Sequence, residues 1–417
     1  MITKDKFIKQ YTDTDSLDTS KMADVLKILQ NVKMNKDAAI KQYNEQFDGV
    51  STPILEVPQA DIKAAYDQVD ASLLKDLMQA YENILTYQRK IKYRTAHNKD
   101  EMYQVYHPLN AVGIYVPGGK ASYPSSVLMT ATLAQVAGVK EIIVVTPPQI
   151  GGINPIVLAC CYITGVTRIF QVGGAQAIAA LTYGTESIPK VDKIVGPGNQ
   201  YVALAKKLVF GEVGIDSIAG PSEIAIAVDE YQNPTHIAYD CMAQAEHDEL
   251  ARTFVVSTSE SILLKIEDEI ARLINEQPRK EIIKESIKNH HYSILTNSIE
   301  ENFEVLNLIS SEHVSIQTAD AQKYIEGVNR AGALFIGPYA PEAMGDYVLG
   351  PSHVLPTNGN ARFINGLTVN DFLTSNSVMD ISKATFKKNM DAAINIAQAE
   401  SLFAHAASIQ IRKDDLT

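Results

Sequence analysis

Residues 110–148 carry two apolar runs with a helix-like stretch between them: NAVGIYVPGG, then PSSVLMTATLAQVAG from residue 124, then VKEIIVVTPP. The first run ends at Gly118-Gly119 and reads as a strand with a glycine turn. The middle stretch reads as a helix, with Ser125 and Ser126 near its start and Gly138 as its C-cap. The third run is the next strand. The pattern then continues through NPIVLACCYITG (helix), TRIFQVGG (strand), AQAIAALTYG (helix), KVDKIVGPG (strand) and NQYVALAKKLVFG (helix). Strand starts near 112, 139, 167 and 191 recur every 24 to 28 residues. Apolar strands alternating with helices predict βαβ crossovers and a parallel sheet.

Outward from this stretch, a second alternating series begins at EIAIAVDE. It runs through a helix at Thr235–Asp248, strand RTFVVST, an amphipathic helix over Ser259–Glu276, strand YSILTNS, helix IEENFEVLNLIS, strand VSIQT, helix ADAQKYIEGV and strand GALFIG. The first hundred residues show apolar side chains three and four apart and read as helical. Pro338–Gly366 is rich in Gly, Pro, Asn and Ser and reads as a long loop, a class that is usually functional. The end of the chain, through Ala384–Ala406, reads as helical. An α/β protein of this kind is expected to bind ligands at the carboxyl ends of its strands.

The chain has 417 residues, which at about 150 per domain gives two or three domains. The net charge of −12 argues against a nucleic-acid surface as its main business. Three cysteines cannot build a disulfide framework, and a reducing, cytoplasmic compartment is expected. MITKDKFIKQYTDTD alternates charge and has no apolar run, so no signal peptide is read there. The uncharged stretch Ile142–Thr167 is broken by Pro147, Pro148, Gly151, Gly152 and Pro155, so no membrane span is expected.

Five constellations carry chemistry. Pro117-Gly118-Gly119, Gly173-Gly174-Ala175-Gln176 and Gly196-Pro197-Gly198-Asn199 each precede a helix N-terminus, where free N–H groups favour an anion. None matches G-x-G-x-x-G, so the ordinary dinucleotide fingerprint is absent. Gln244 and His247, three apart, share a helix face. Glu312 beside His313 brings together two groups able to move protons. Asp346 and His353 sit in the Gly/Pro loop as a hard oxygen donor and an imidazole. Glu400 and His405 are five apart, about 140° around a continuous helix, and need not share a target. Four of the nine histidines are thus placed; His97, His107, His236, His290 and His291 lack such company, and His290-His291 reads as a solvated helix end.

GIYVPGG, YPSSVLM, VGGAQAIAAL, DKIVGPGN, AGPSEIAIAVD, AQAEHD, SEHVSIQ, GDYVLGPSHVLPT and ESLFAHAASIQIR, in that order, make the chain resemble the histidinol dehydrogenases over nearly its whole length. FLTSNSV, after Asp371, departs from that family's pattern by lacking a basic residue. The resemblance implies two incomplete Rossmann-like domains with parallel sheets, a short N-terminal arm and a helical C-terminal tail in a domain-swapped homodimer. The implied boundaries are an arm at 1–20, a zinc and substrate domain at 21–112 and 222–366, an NAD-binding domain at 113–221 and a tail at 367–417. It also implies one zinc ion per subunit on Gln244, His247 and Asp346, with His405 from the partner. NAD contacts fall on Tyr115, Gln176 and Asn199. The same metal ligands, with Ser222, His313, His353 and Glu400, would hold L-histidinol. The implied reaction oxidises L-histidinol to L-histidine through the aldehyde with two NAD. His313 is then the base and Glu312 activates the water that hydrates the aldehyde. No nucleic acid and no membrane enter as partners. A zinc hydrolase using Glu312, or a catalytically silent zinc-binding homologue, is the alternative. A cysteine thiohemiacetal route would need Cys160 or Cys161, which lie in an apolar helix, or Cys241, which precedes Gln244 on its helix, and structural cysteines are expected instead.

Overall fold

The computed structural model describes residues 1–11, 20–95, 100–118 and 123–415, so His97 and Gly119 lie outside the described residues. Among the described residues thirteen strands are formed: β1 (Ile2–Thr3), β2 (Met102–Pro108), β3 (Ala111–Tyr115), β4 (Glu141–Thr146), β5 (Arg168–Gln171), β6 (Lys193–Val195), β7 (Gly214–Ile215), β8 (Glu223–Val228), β9 (Arg252–Ser257), β10 (His291–Leu295), β11 (His313–Gln317), β12 (Ala333–Ile336) and β13 (Leu373–Met379). They make a five-stranded sheet in the order β5-β4-β3-β6-β7 and a six-stranded sheet in the order β1-β10-β9-β8-β11-β12, both parallel throughout. Counted from β3 and from β8, the two halves share the order 3-2-1-4-5 of a mononucleotide-binding sheet. The α/β reading is therefore correct. Both central strands, β3 and β8, are buried at every residue, as expected of parallel strands covered on both faces.

Two details of the N-terminal region come only from the structure. The first residues join the second sheet: β1 pairs with β10, and Phe7 of the helix Lys4–Tyr11 is fully buried against Phe254 and Tyr292. The helix Met22–Tyr43 does not accompany the second α/β half. Its apolar face, Val25, Ile28, Leu29, Val32 and Ile40, packs into one core with Phe170, Ile178 and Leu204 of the first half. An apolar stripe states that a helix is buried but not against which sheet.

The chain divides into two bodies. One is Met1–Lys92 with Leu109–Phe372 and holds both parallel sheets. The other is Tyr93–Pro108 with Leu373–Thr417. In this second body β13 and β2 pair antiparallel over seven residues each, a hairpin-like sheet that sequence reading missed because its partners lie about 270 residues apart. Helices Lys383–Ala399 and Phe403–Asp414 follow and pack through Ile394, Ala397 and Ala406. The body leaves Met379, Ile396, Phe403 and Ile411 each more than half exposed.

Helix ends follow local chemistry. Gly138 closes the helix Pro124–Ala137 with φ +97°, and Asn154, Asn199 and Asn233 cap the helices that follow them. His291 is no solvated helix end. It opens β10, and its Nδ1 lies 2.7 Å from the Thr253 hydroxyl in a nearly closed pocket.

The loop after β6 is held by charge. Gly196 donates its N–H to Asp216 at 2.7 Å, and its carbonyl accepts from Lys206 at 3.1 Å. Lys206 and Asp216 form a buried ion pair. Gly196 has φ +109°, and a Cβ there would meet the main-chain oxygen of Tyr115. Gly196→Ala is expected to lose about 1–3 kcal/mol through strain and close contact, read as a lower denaturation midpoint with unchanged slope.

Candidate active site

The first sheet offers its carboxyl ends. Tyr115 closes β3, is buried, and its hydroxyl accepts the Gly174 N–H at 3.1 Å. Burial pushes that phenol up to about 12, so it stays protonated. Gln176 is buried in the first turn of the helix Gly174–Tyr183. Asn199 caps the helix Gln200–Val209, its Oδ1 accepting from Tyr201 and Val202 at 3.0 and 3.2 Å. All three line a cavity of about 890 Å³ that also takes in Phe47, Asp48, Arg279 and His247. Such a volume suits a cofactor-sized ligand.

The second sheet offers its amino ends instead, a reversal of the expected side. Glu312 and His313 enter β11, and Ser222 precedes β8, where its carbonyl accepts from Arg252 at 2.9 Å. Glu223 grips both members of the Glu-His pair with its backbone. Its N–H donates to Glu312 Oε2 at 3.1 Å, and its carbonyl accepts from His313 Nδ1 at 3.2 Å. A carbonyl can only accept, so the proton of the neutral ring sits on Nδ1. Gln244 Oε1, 3.1 Å from the same Nδ1, is a second acceptor. His313 Nε2 is left buried with no partner, 3.9 Å from Asp346 Oδ1. Burial pulls the His313 imidazole down to about 3, so the ring is neutral. Burial pushes the Glu312 carboxyl well above the usual carboxylate range.

The stretch read as a long loop contains a short helix, Glu342–Tyr347, which carries Asp346 inward. Asp346 also accepts, at its main-chain oxygen, the Nδ1–H of His353 at 3.0 Å. Gly345 lets this helix lie on the Phe335 ring, where any Cβ would collide. Asp346, His353 and His313 line a second pocket of about 150 Å³ with Phe335, Pro351 and Ser352. His247, which follows the helix Pro234–Ala245, brings a ligand nitrogen within 4.8 Å of carboxylate oxygens of Asp346 and Glu342. His247 therefore belongs to the wall of the large cavity and to the cluster beside the small pocket. The residues predicted as metal ligands in this body, Gln244, His247 and Asp346, thus gather near His313.

Glu400 and His405 belong to the second body, and both are exposed. They do not share one continuous helix. Ser401, with φ +60°, breaks the run, so Glu400 ends one helix and His405 lies in the first turn of the next. The angular argument for a single helix does not apply to them.

The family model of histidinol dehydrogenase matches residues 12–413. The histidinol dehydrogenase of Staphylococcus aureus is 54 % identical over 415 residues, 99 % of each chain. That of Staphylococcus epidermidis is 55 % identical over 414 residues, covering 99 % of this chain and all of the relative.

The chain belongs to the histidinol dehydrogenase family.

A solved histidinol dehydrogenase from Elizabethkingia anophelis superimposes with a TM-score of 0.92 at 33 % identity, over 95 % of this chain and 93 % of that one. An acetylating aldehyde dehydrogenase from Geobacillus thermoglucosidasius, at 14 % identity and a TM-score of 0.50, shares the fold alone. Membership makes the chain an oxidoreductase and removes the zinc-hydrolase reading. No helix among the described residues is long and apolar enough to cross a membrane.

The residues gathered here include donors that fit a divalent cation. An imidazole and two carboxylates form a borderline-to-hard set. Glu342 is the member that sequence reading missed. It lies four residues before Asp346, the spacing of one helix face, but the surrounding Gly and Pro make the stretch read as loop, where that spacing carries no meaning. Glu223 was missed because its contribution is main-chain.

The three cysteines are fully buried. Burial pushes Cys160 up to about 12 and Cys241 well above the ordinary thiol value. Cys241 packs within the core of the second sheet, among Ile237, Ala238 and Met242. A buried, protonated thiol is a poor nucleophile. Cys241→Ser is expected to keep most turnover in a steady-state assay, while His313→Asn loses roughly 10²–10⁴-fold in kcat. Near-complete loss in Cys241→Ser with metal content intact would instead favour a thiohemiacetal.

Proposed function

We propose that this chain oxidises L-histidinol to L-histidine through L-histidinaldehyde, in two successive NAD-dependent hydride transfers at one site, the last step of histidine biosynthesis. The observation that carries the reading is His313 Nε2, an unprotonated, buried nitrogen beside a cluster of metal-type donors and near a cofactor-sized cavity. Bound NAD would supply the hydride acceptor, and bound zinc would anchor the substrate amine and imidazole without serving as the source of hydroxide. Gln244, His247 and Asp346 of one subunit would hold the zinc, with His405 of the partner subunit.

The chain's own residues do the proton work. His313 Nε2 takes the carbinol hydroxyl proton as hydride leaves the carbon. Glu312, hydrogen-bonded to the Glu223 N–H, takes a proton from the water that adds to the aldehyde. His313, once Nε2 has released that first proton to solvent, accepts the hydroxyl proton of the hydrated aldehyde as the second hydride leaves. Ser222, His353 and Glu400 complete the substrate contacts, while Tyr115, Gln176 and Asn199 line the NAD side. Holding the aldehyde between steps keeps a reactive intermediate from escaping.

The shared site requires a homodimer. The exposed apolar side chains of the second body, Met379, Ile396, Phe403 and Ile411, support a tail that packs on a second copy. Three buried reduced-type cysteines and no membrane-length helix among the described residues are consistent with a cytoplasmic enzyme.

Absorbance at 340 nm should rise on adding L-histidinol and NAD, and should fall away after chelation and return with zinc. No NADH from the zinc-loaded protein would overturn the reading. Coexpressing His247→Asn with His405→Asn should recover activity through mixed dimers, although each variant alone is inactive. Failure of the mixed dimers to exceed either parent would rule out a site shared between subunits.

A further inference from the structure

We propose that Glu342 is a further residue of the metal centre, its carboxylate facing the cation beside His247 and Asp346. The inference rests on the metal-dependent reading above and extends it to a residue outside the expected ligand set.

Three observations carry it. The first is position. One ligand atom each from His247, Glu342 and Asp346 lies within 4.8 Å of the others, close enough to surround a single ion. Glu342 and Asp346 stand at the two ends of one helical turn and so project from one face. The second is burial without a partner. Glu342 is 2 % exposed, and its Oε2 has no hydrogen-bond donor. A buried carboxylate left so is costly unless a cation or a proton compensates it. The third is the sign of the surroundings. The charged groups whose fields reach Glu342 are Asp346, Asp240 and Glu246, all acidic. A divalent cation among them answers the whole cluster at once.

The contrast with Gln244 sharpens the point. Gln244 is a neutral amide whose Oε1 is engaged with His313 at 3.1 Å. Glu342 has an uncommitted oxygen and brings a second negative charge beside Asp346. The set His247, Glu342 and Asp346 also lies wholly within the first body, so it does not depend on the exposed His405.

The test compares chelator-stripped wild type with Glu342→Gln by titration with zinc chloride in the absence of substrate, and by thermal melts with and without zinc. The expected result is zinc affinity weaker by about 10–100-fold, the range seen on losing a residue that supports a metal site. The stripped variant should melt no lower than stripped wild type, because the carboxyl it replaces has a buried oxygen without a partner, and its gain on adding zinc should shrink. A residue that serves only packing would do the reverse: the stripped variant would melt lower and zinc affinity would stay within twofold of wild type, and that result overturns the proposal. Glu342→Asp, which keeps the charge and withdraws the carboxylate, supplies a second readout in cobalt-substituted protein. A changed visible absorption spectrum supports the proposal, and an unchanged one refutes it. If stripped wild type itself takes up no zinc, the metal-dependent reading falls first, and this proposal falls with it.

Discussion

The geometry of the site hangs on the backbone of Glu223. Its N–H holds Glu312 and its carbonyl holds His313, so one residue at the amino end of a buried central strand positions both members of the Glu-His pair. The bond to Nδ1 decides the tautomer of the imidazole, and with it which nitrogen is bare. Because β8 pairs with β9 and β11 on its two sides, this grip is backed by a sheet and not by a loop. An imidazole held by main-chain groups of a rigid strand keeps its aim when neighbouring side chains move. The carboxyl of Glu223 extends the same support outward, accepting the Asn358 N–H at 3.0 Å and so tying down the segment after β12.

Two sheets of the same strand order are used from opposite ends. The first presents the turns after β3, β5 and β6, the ordinary cofactor side of such a sheet. The second presents the turns before β8, β9 and β11, and its helix Glu342–Tyr347 closes over them. His247 marks the meeting place, since it contributes both to the large cavity and to the cluster around Asp346. That arrangement sets the large cavity of the first half beside the Asp346 cluster of the second, a juxtaposition that neither half could supply alone.

The local reading of the chain was accurate where one physical rule dominated. The β-α alternation from Ala111 to Val209 and from Glu223 to Ile336 was legible because strands such as β3, β4 and β8 are largely apolar runs and the helices of the first series are bounded by glycine, proline or asparagine. It faltered where structure depends on distant partners. The pair β2 and β13 has a mostly half-buried or exposed pattern and gains its order only from the opposing strand. The helix Met22–Tyr43 shows its apolar stripe plainly, yet the sheet it joins is decided by complementary surfaces. His291 looked like a solvated residue because its neighbours are polar, whereas β10 carries it into a pocket beside Thr253.

By itself, the sequence determined the α/β class, the two alternating series, the family, and the chemical types available: glycine turns, a Glu-His pair, and nitrogen and oxygen donors. These are local or motif properties, and they survive without knowing what touches what. Only the tertiary structure decided which end of the second sheet is used, which nitrogen of His313 is bare, and that Glu342 stands with His247 and Asp346. Each of those depends on contacts between residues up to about 100 positions apart, such as Glu223 with His313 and His247 with Asp346. Such contacts arise from the packing of whole elements, and no spacing along the chain encodes them.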